Sequence, residues 1–330
     1  AASHAAGRRR RPDFPPHSGE TVLPRLPGMM RAIPFAGAPV AQRWIRPLSR
    51  LVPWRPAILA ARPAVRPALA SRAHSSIARV RPDAASAAVE PSWADGAFGP
   101  GTAAPLIHPS AVVHEGARLG AGVVVGPYCI VGAEVTLAER VRLHSHVVLS
   151  GHTSIGPESE IFPFAAVGAR PQDLKYRGEV SSTRVGARCQ VHHHAHVCGG
   201  TAGGGGLTSL GDDCLIMSHV HVGHDCTLGS GVILASKASL AGHVTVGQGA
   251  QVSGHACVHQ RVRIGRGAFV AAAAVLLDDL LPYGMAAGAT RATVETLNLR
   301  GLRRLRTHPA ELRAMLRAFR ALFNLPAPAR

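Results

Sequence analysis

From Ile107 to Val167 an aliphatic side chain recurs at every sixth position, through Val113, Leu119, Val125, Val131, Leu137, Leu143, Leu149, Ile155 and Ile161. The series resumes at Leu210 and runs through Ile216, Val222, Leu228, Leu234, Leu240, Val246, Val252, Val258, Ile264 and Val270 to Leu276. A helix repeats at 3.6 residues and a strand at 2, so neither produces strict sixes. A parallel β-helix does, because each six-residue unit is a short strand plus a turn with one aliphatic side chain aimed at the axis. Gly often follows the aliphatic residue, as at Gly120, Gly156, Gly229, Gly247 and Gly265, where a tight corner favours a missing Cβ. The expected fold class is all-β: a hexapeptide-repeat solenoid followed by a short α-helical C-terminal segment.

The repeat also divides the chain. The solenoid is expected over 106–281, interrupted at about 169–184 and 199–209. In the first interruption the sixfold positions are Asp173 and Glu179, which do not suit an apolar axis, so an excursion loop is expected there. The second contains the run Gly203-Gly204-Gly205-Gly206 and shifts the phase, because Val197 to Leu210 is thirteen positions. Loops that leave a regular scaffold are where function concentrates. In the segment 282–330, Thr307 as cap and Pro309 in the first turn predict a helix running to about Asn324. Its apolar stripe of Leu312, Met315, Leu316, Phe319, Leu322 and Phe323 suits packing against a partner surface.

The net charge of +17 points toward nucleic acid until it is located. Residues 1–82 hold fifteen Arg against only Asp13 and Glu20, so the remainder of the chain is near neutral. An Arg-rich, Ala/Pro/Ser-rich, acid-poor leader has the composition of an organelle transit peptide, with initiation at Met29 or Met30. That leads to an expected mitochondrial matrix location, with the plastid as the alternative. Residues 83–105 read as a linker, and no run reaches the roughly 18 apolar residues of a membrane span. The six Cys form no CxxC pair and are expected as small buried residues in a reducing compartment.

Three units make a coil of eighteen residues, so residues eighteen apart stack on one face about 4.8 Å apart. Units starting at Val222, Leu240 and Val258 therefore share a face and carry His224, His243 and His259. His219 and His221 fall in the preceding unit, one face away. Three readings stay open for this file. His224 beside Asp225 suits a general base with an orienting carboxylate. His residues from adjacent coils or subunits suit Zn²⁺. The third reading is surface His on turns in a His-rich chain. Against 34 Arg there are only two Lys, Lys175 in the first loop and Lys237 at a turn, which suggests a need for a compact ammonium at those places.

Several segments together resemble a known family. Gln172-Asp173-Leu174-Lys175-Tyr176, Gly204-Gly205-Gly206-Leu207-Thr208, His224-Asp225-Cys226, Leu240-Ala241-Gly242-His243-Val244, Val258-His259-Gln260, Pro282-Tyr283 and Asn298-Leu299-Arg300-Gly301-Leu302-Arg303-Arg304 occur in the order seen in the UDP-N-acetylglucosamine O-acyltransferases of lipid A biosynthesis. The resemblance is to an organelle-targeted, plant-like form. It implies a left-handed β-helix, a homotrimer with sites between prisms, and neither metal nor cofactor. It further implies transfer of a (3R)-3-hydroxyacyl chain from acyl carrier protein to the sugar 3-hydroxyl of UDP-N-acetylglucosamine. In that scheme His224 is the base, Asp225 orients it, and the Gly242 N–H receives the oxyanion. Lys175, His221, His243, His259 and Arg304 hold substrate, Arg304 on phosphate, and the basic stretch 300–306 meets the acidic carrier.

The chain also departs from that pattern. Cys198-Gly199 stands where the family has His-Arg, His193 replaces an acid, Ser236-Lys237 replaces an Asn pair, and Arg261 replaces a Phe. Ala272 takes the acyl-length position that is Gly in long-chain members, which favours a shorter chain. Two alternatives follow: a γ-class carbonic anhydrase-like zinc trimer, and a catalytically weakened scaffold that retains the prism. The related N-acyltransferase carries an N-terminal domain that the Arg- and Pro-dense residues 1–105 do not resemble.

Overall fold

The computed structural model describes residues 104–323. The leader, the linker up to residue 103 and the last seven residues lie outside that range. The described chain winds as a left-handed parallel β-helix with three sheets as its faces. Most strands are two residues long, the aliphatic residue of the hexad and the residue before it, as in Leu215–Ile216, His221–Val222 and Thr227–Leu228. In regular coils each strand pairs in parallel with the one eighteen positions on: Leu215 with Ile233, His221 with Ser239, Thr227 with Thr245. The backbone polar groups are satisfied coil to coil, as when the Gly223 N–H donates to the Leu240 carbonyl at 2.9 Å.

Two files of side chains fill the axis. The sixfold aliphatics are one, with Leu234, Leu240, Val252 and Val270 fully buried. The second is a smaller residue two positions earlier: Val232, Ala238, Ala250 and Ala268, also fully buried. Larger and smaller side chains therefore alternate along each coil and fill its triangular interior. The glycines after the aliphatic residue answer to coil stacking. A Cβ on Gly247 would lie 2.4 Å from the Arg266 nitrogen, and one on Gly265 would lie 2.3 Å from the Pro282 nitrogen. Left-handed backbone falls at other corner positions, occupied by Asp225, His243 and Arg261 in one column. Asp and His are among the residues that tolerate this conformation best.

The strand Ala166–Ala169 is followed by Ser182–Val185, with no strand between them. Ile155 therefore pairs with Val185, thirty positions on instead of eighteen. Between His196–Cys198 and Leu207–Leu210 only a 3₁₀ turn at Ala202–Gly204 intervenes, and Val185 pairs with Leu210, twenty-five positions on. Both excursions leave and rejoin between the same two sheets, so they emerge along one edge of the prism.

The end of the solenoid differs from expectation. Gly284–Ala287 still adds a parallel strand beyond Phe269–Val270, and Thr293–Leu297 folds back antiparallel on it. This hairpin caps the prism before any helix begins. Helix α1 (Leu299–Arg304) is capped by Asn298, whose Oδ1 accepts from the Gly301 N–H at 2.9 Å. Helix α2 (Pro309–Leu322) is capped by His308 instead of Thr307, its Nδ1 accepting from the Ala310 N–H at 3.3 Å. Leu312, Met315, Leu316 and Phe319 pack on Leu297 and Leu302 of their own chain, so the stripe is mostly an internal contact. Only Leu322 and Phe323 at its end stay exposed. Among the described residues no helix is long and apolar enough to cross a membrane.

Candidate active site

The two excursions meet over one corner of the prism. There the backbone turns after His221–Val222, and Asp225 occupies the left-handed corner position at φ 60°. The Asp225 side chain is almost fully enclosed, 1% exposed, because the second excursion folds onto it. The Thr201 N–H donates to Oδ1 and the Thr201 hydroxyl to Oδ2, both at 2.7 Å. The Asp225 N–H in turn donates to the Thr208 hydroxyl at 2.8 Å. The glycine run has a steric purpose: a Cβ on Gly204 would lie 2.0 Å from the Asp225 carboxyl carbon.

Asp225 Oδ2 also lies 2.7 Å from His224 Nδ1. A carboxylate that already receives two donors is an acceptor only, so the Nδ1 proton belongs to His224. That fixes the tautomer and leaves the Nε2 lone pair free to take a proton. His243, one coil on, stands edge-on to His224 with ring centroids 4.9 Å apart and its Nδ1 3.7 Å from Asp225 Oδ2. Burial lowers the His243 pKa, with Arg261 and His224 adding to the effect and Asp225 and Asp173 opposing it. His243 is therefore more readily neutral than an ordinary imidazole.

Gly242 lies directly beneath the His224 ring, and a Cβ there would sit 2.6 Å from both Cε1 and Nε2. Among the described residues no acceptor takes the Gly242 N–H. A free backbone donor beside an imidazole lone pair is the pairing that acyl transfer needs, a base for the nucleophile and a donor for the oxyanion.

The first excursion supplies Asp173. The Lys175 N–H donates to its Oδ1 at 2.9 Å. That bond holds the Asp173 carboxyl below the usual carboxylate range, against slight desolvation, and the fields of His224, Lys175 and His243 add to it. The loop thus brings Asp173 within electrostatic reach of the two imidazoles. Neither Asp173 nor Thr201 is among the site residues expected from the sequence. Asp173 had a signal in the Gln-Asp-Leu-Lys-Tyr segment, whereas nothing marked Thr201.

The remaining expected residues divide. His221 is in the strand His221–Val222, on the same face as Val222 and not one face away, because each strand includes the residue before the aliphatic one. It pairs across the ladder with His196 and Ser239. His259 follows Val258 on that face but is exposed and joins none of the contacts around His224 and Asp225. Lys175 is exposed in the first loop, and Ala272 is exposed at a corner of another edge. Arg304 is exposed at the end of α1, and no contact within the described chain links it to the His224 corner. Five of the Cys are buried as expected, while Cys257 is exposed, and none is in a disulfide.

Gly199 bears on the departures from the family pattern. A Cβ there would lie 2.1 Å from Ser181 Oγ, itself buried and without a hydrogen-bond partner, as is Thr183 Oγ1. The family's Arg is thus incompatible with the present Ser181 rotamer. Gly199 and the two orphaned hydroxyls form one patch beside the site.

A family model described as Udp N-acetylglucosamine O-acyltransferase, Domain 2, matches residues 279–328, and one for the bacterial transferase hexapeptide (six repeats) matches 208–242. The solved UDP-N-acetylglucosamine acyltransferase from Campylobacter jejuni is 39% identical, with a TM-score of 0.64 over 67% of this chain and 86% of that one. This chain belongs to the UDP-N-acetylglucosamine acyltransferase family. The solved Arabidopsis UDP-N-acetylglucosamine acyltransferase is 32% identical, with a TM-score of 0.60 over 68% of this chain and 85% of that one. The acyl-[acyl-carrier-protein]--UDP-N-acetylglucosamine O-acyltransferase of Paracoccus denitrificans is 46% identical over 155 residues, 47% of this chain and 59% of that protein. The match to the counterpart from Methylobacterium radiotolerans spans 60% of that protein, so the chain aligns with about three-fifths of such relatives.

One prediction arises from this corner and a second from the histidines as a set. Gly204→Ala pushes the second excursion off Asp225 and breaks both Thr201 bonds, so it is expected to cost about 1–3 kcal/mol of stability. Gly203→Ala, whose Cβ meets nothing within 4 Å, is the matched control and is expected to be nearly silent. Equal melting curves for the two variants exclude the clamp.

The second prediction concerns pH. Burial lowers the pKa of His192, His193, His196, His221 and His243 below the ordinary 6.5. The unfolded chain therefore takes up these protons first as pH falls through 6.5, and the folded state only lower down. Stability is expected to be full above the unfolded value and to decline through the window beneath it. A melting temperature that holds constant from about pH 7.5 to about pH 5.5 refutes this linkage.

Proposed function

We propose that this protein moves a (3R)-3-hydroxyacyl chain from acyl carrier protein to the 3-hydroxyl of UDP-N-acetylglucosamine, the opening reaction of lipid A biosynthesis. The observation that carries this reading is the His224–Asp225 pair, locked by the second excursion, with the unpaired Gly242 N–H beneath it. In the proposed reaction His224 Nε2 takes the proton of the sugar hydroxyl as its oxygen attacks the thioester carbonyl. Asp225 holds the imidazolium that forms, and the Gly242 N–H receives the oxyanion. The tetrahedral adduct collapses by breaking the carbon–sulfur bond, and His224 returns the proton to the carrier's thiol.

Lys175, His221, His243, His259 and Arg304 are assigned to substrate contacts and Ala272 to acyl-length selection. His259 and Arg304 stand apart from the His224 corner within one chain, so these assignments go with a homotrimer in which neighbouring prisms complete the site. The basic stretch 300–306 is assigned to docking acyl carrier protein, and the leader 1–82 to mitochondrial import, with the plastid as second destination. The zinc-trimer alternative is less well supported by the geometry. His224 and His243 converge on a carboxylate already committed to Thr201, and His259 does not join them.

The test is direct assay of the full chain with UDP-N-acetylglucosamine and 3-hydroxyacyl carrier proteins of graded chain length. The 3-O-acylated sugar nucleotide is the expected product, with an optimum on the shorter chains. No transfer from any acyl carrier protein, in protein that retains the prism by circular dichroism, refutes the reading.

A further inference from the structure

One cluster of chemically soft side chains takes no part in the acyl-transfer scheme as a group. The ladder register pairs His196 with His221 on adjacent coils. His196 and Cys198 are two apart on one strand and so project to the same side of the sheet. The two imidazoles face each other with Nδ1 atoms 3.2 Å apart, and Cys198 Sγ lies 3.8 Å from His196 Nδ1. All three ligand atoms lie within 4.8 Å of one another.

These separations can be compared with what an ion requires. Tetrahedral Zn²⁺, with metal–nitrogen bonds near 2.05 Å and metal–sulfur bonds near 2.3 Å, sets its ligand atoms about 3.3 Å apart for two nitrogens and about 3.6 Å apart for nitrogen and sulfur. The two separations that include His196 differ from these by a few tenths of an ångström, and the Cys198–His221 separation is within 4.8 Å, so a small side-chain shift closes the triad on an ion. The site is partly enclosed, with both imidazoles half-buried. Although Cys198 projects from the sheet it is fully buried, and the Gln172 N–H of the first excursion points at its sulfur.

We propose that His196, Cys198 and His221 form a binding site for a borderline-soft divalent cation of the Zn²⁺ class, within one chain and beside the His224–Asp225 corner. Two imidazoles and a thiolate with no carboxylate select such an ion over Mg²⁺ or Ca²⁺, which take oxygen ligands. Three protein ligands leave the fourth position of a tetrahedron to water. On loading, the Cys198 thiol gives up its proton to solvent as the sulfur–metal bond forms. The second group whose ligand atoms approach one another, His224, Asp225 and His243, is a weaker candidate, because its carboxylate is already held by Thr201. The proposal does not depend on the acyltransferase reading, and its test reads no activity.

The experiment is titration of the full chain, purified without a histidine affinity tag, with Co²⁺ as a spectroscopic stand-in and Zn²⁺ as competitor. Wild type is expected to show a thiolate-to-cobalt charge-transfer band with the intense visible bands of a tetrahedral site, both abolished by Zn²⁺. Cys257→Ser, which removes the exposed thiol, is expected to leave that spectrum intact. Cys198→Ala and, independently, His196→Gln are expected to lose it while keeping the wild-type circular dichroism. A wild type without the charge-transfer band, or a band that persists in Cys198→Ala, overturns the site. Cobalt bands without thiolate character that vanish in His243→Ala would place the ion at the other group and overturn it equally.

Discussion

Replacement of His224 by Ala is expected to lower acyl transfer by about 10²–10⁴-fold, the range over which a positioned general base contributes. The loss should appear in kcat at saturating UDP-N-acetylglucosamine, because the Nε2 lone pair acts on the hydroxyl proton only as the carbon–oxygen bond forms. The fold should persist. The His224 side chain is 14% exposed and lies outside the axial core, and Asp225 keeps both Thr201 donors when the ring is gone. His259→Ala, at an exposed position without contact to this corner in one chain, is the comparison and should cost less. Turnover in His224→Ala within about twofold of wild type would remove His224 from the base role.

The solenoid was legible in the sequence because each coil is assembled from units only six residues long. One aliphatic residue per unit marks the axis, and two failures of phase mark the excursions. The site was legible in its covalent neighbours, His224 and Asp225, and in Gly242, which stacks eighteen positions on. What the sequence hid was contact made by folding back. Thr201 reaches Asp225 from twenty-four positions away, through a glycine run whose path no periodicity encodes. Counting units from the aliphatic residue puts His221 one face away, whereas a strand of two residues begins one position before its aliphatic marker and carries His221 onto the face of Val222. The closing hairpin escaped notice since Thr293–Leu297 pairs antiparallel and carries no hexad. At the start of α2 an imidazole nitrogen of His308 accepts the hydrogen bond that the sequence pattern leads one to expect of the Thr307 hydroxyl.

Gly242→Ala tests whether the base and the oxyanion donor are a single built unit. Gly242 lies outside the left-handed region, so alanine meets no backbone strain, and any effect must come from space. The added methyl would stand 2.6 Å from His224 Nε2, about 1 Å inside ordinary contact, and the ring cannot swing away without lengthening its 2.7 Å bond to Asp225. A displacement of about 1 Å at a reacting group costs on the order of 10² in rate, so kcat should fall by roughly that factor with little change in KM. The double variant makes the argument specific. With His224 already Ala there is no ring to displace, so adding Gly242→Ala should cost far less than it does in wild type, a coupling that neighbours show and distant sites do not. Fully additive losses would mean that Gly242 acts independently of His224. A silent Gly242→Ala would mean that the corner relaxes around a methyl group, and the close approach of ring to backbone would then have no part in catalysis.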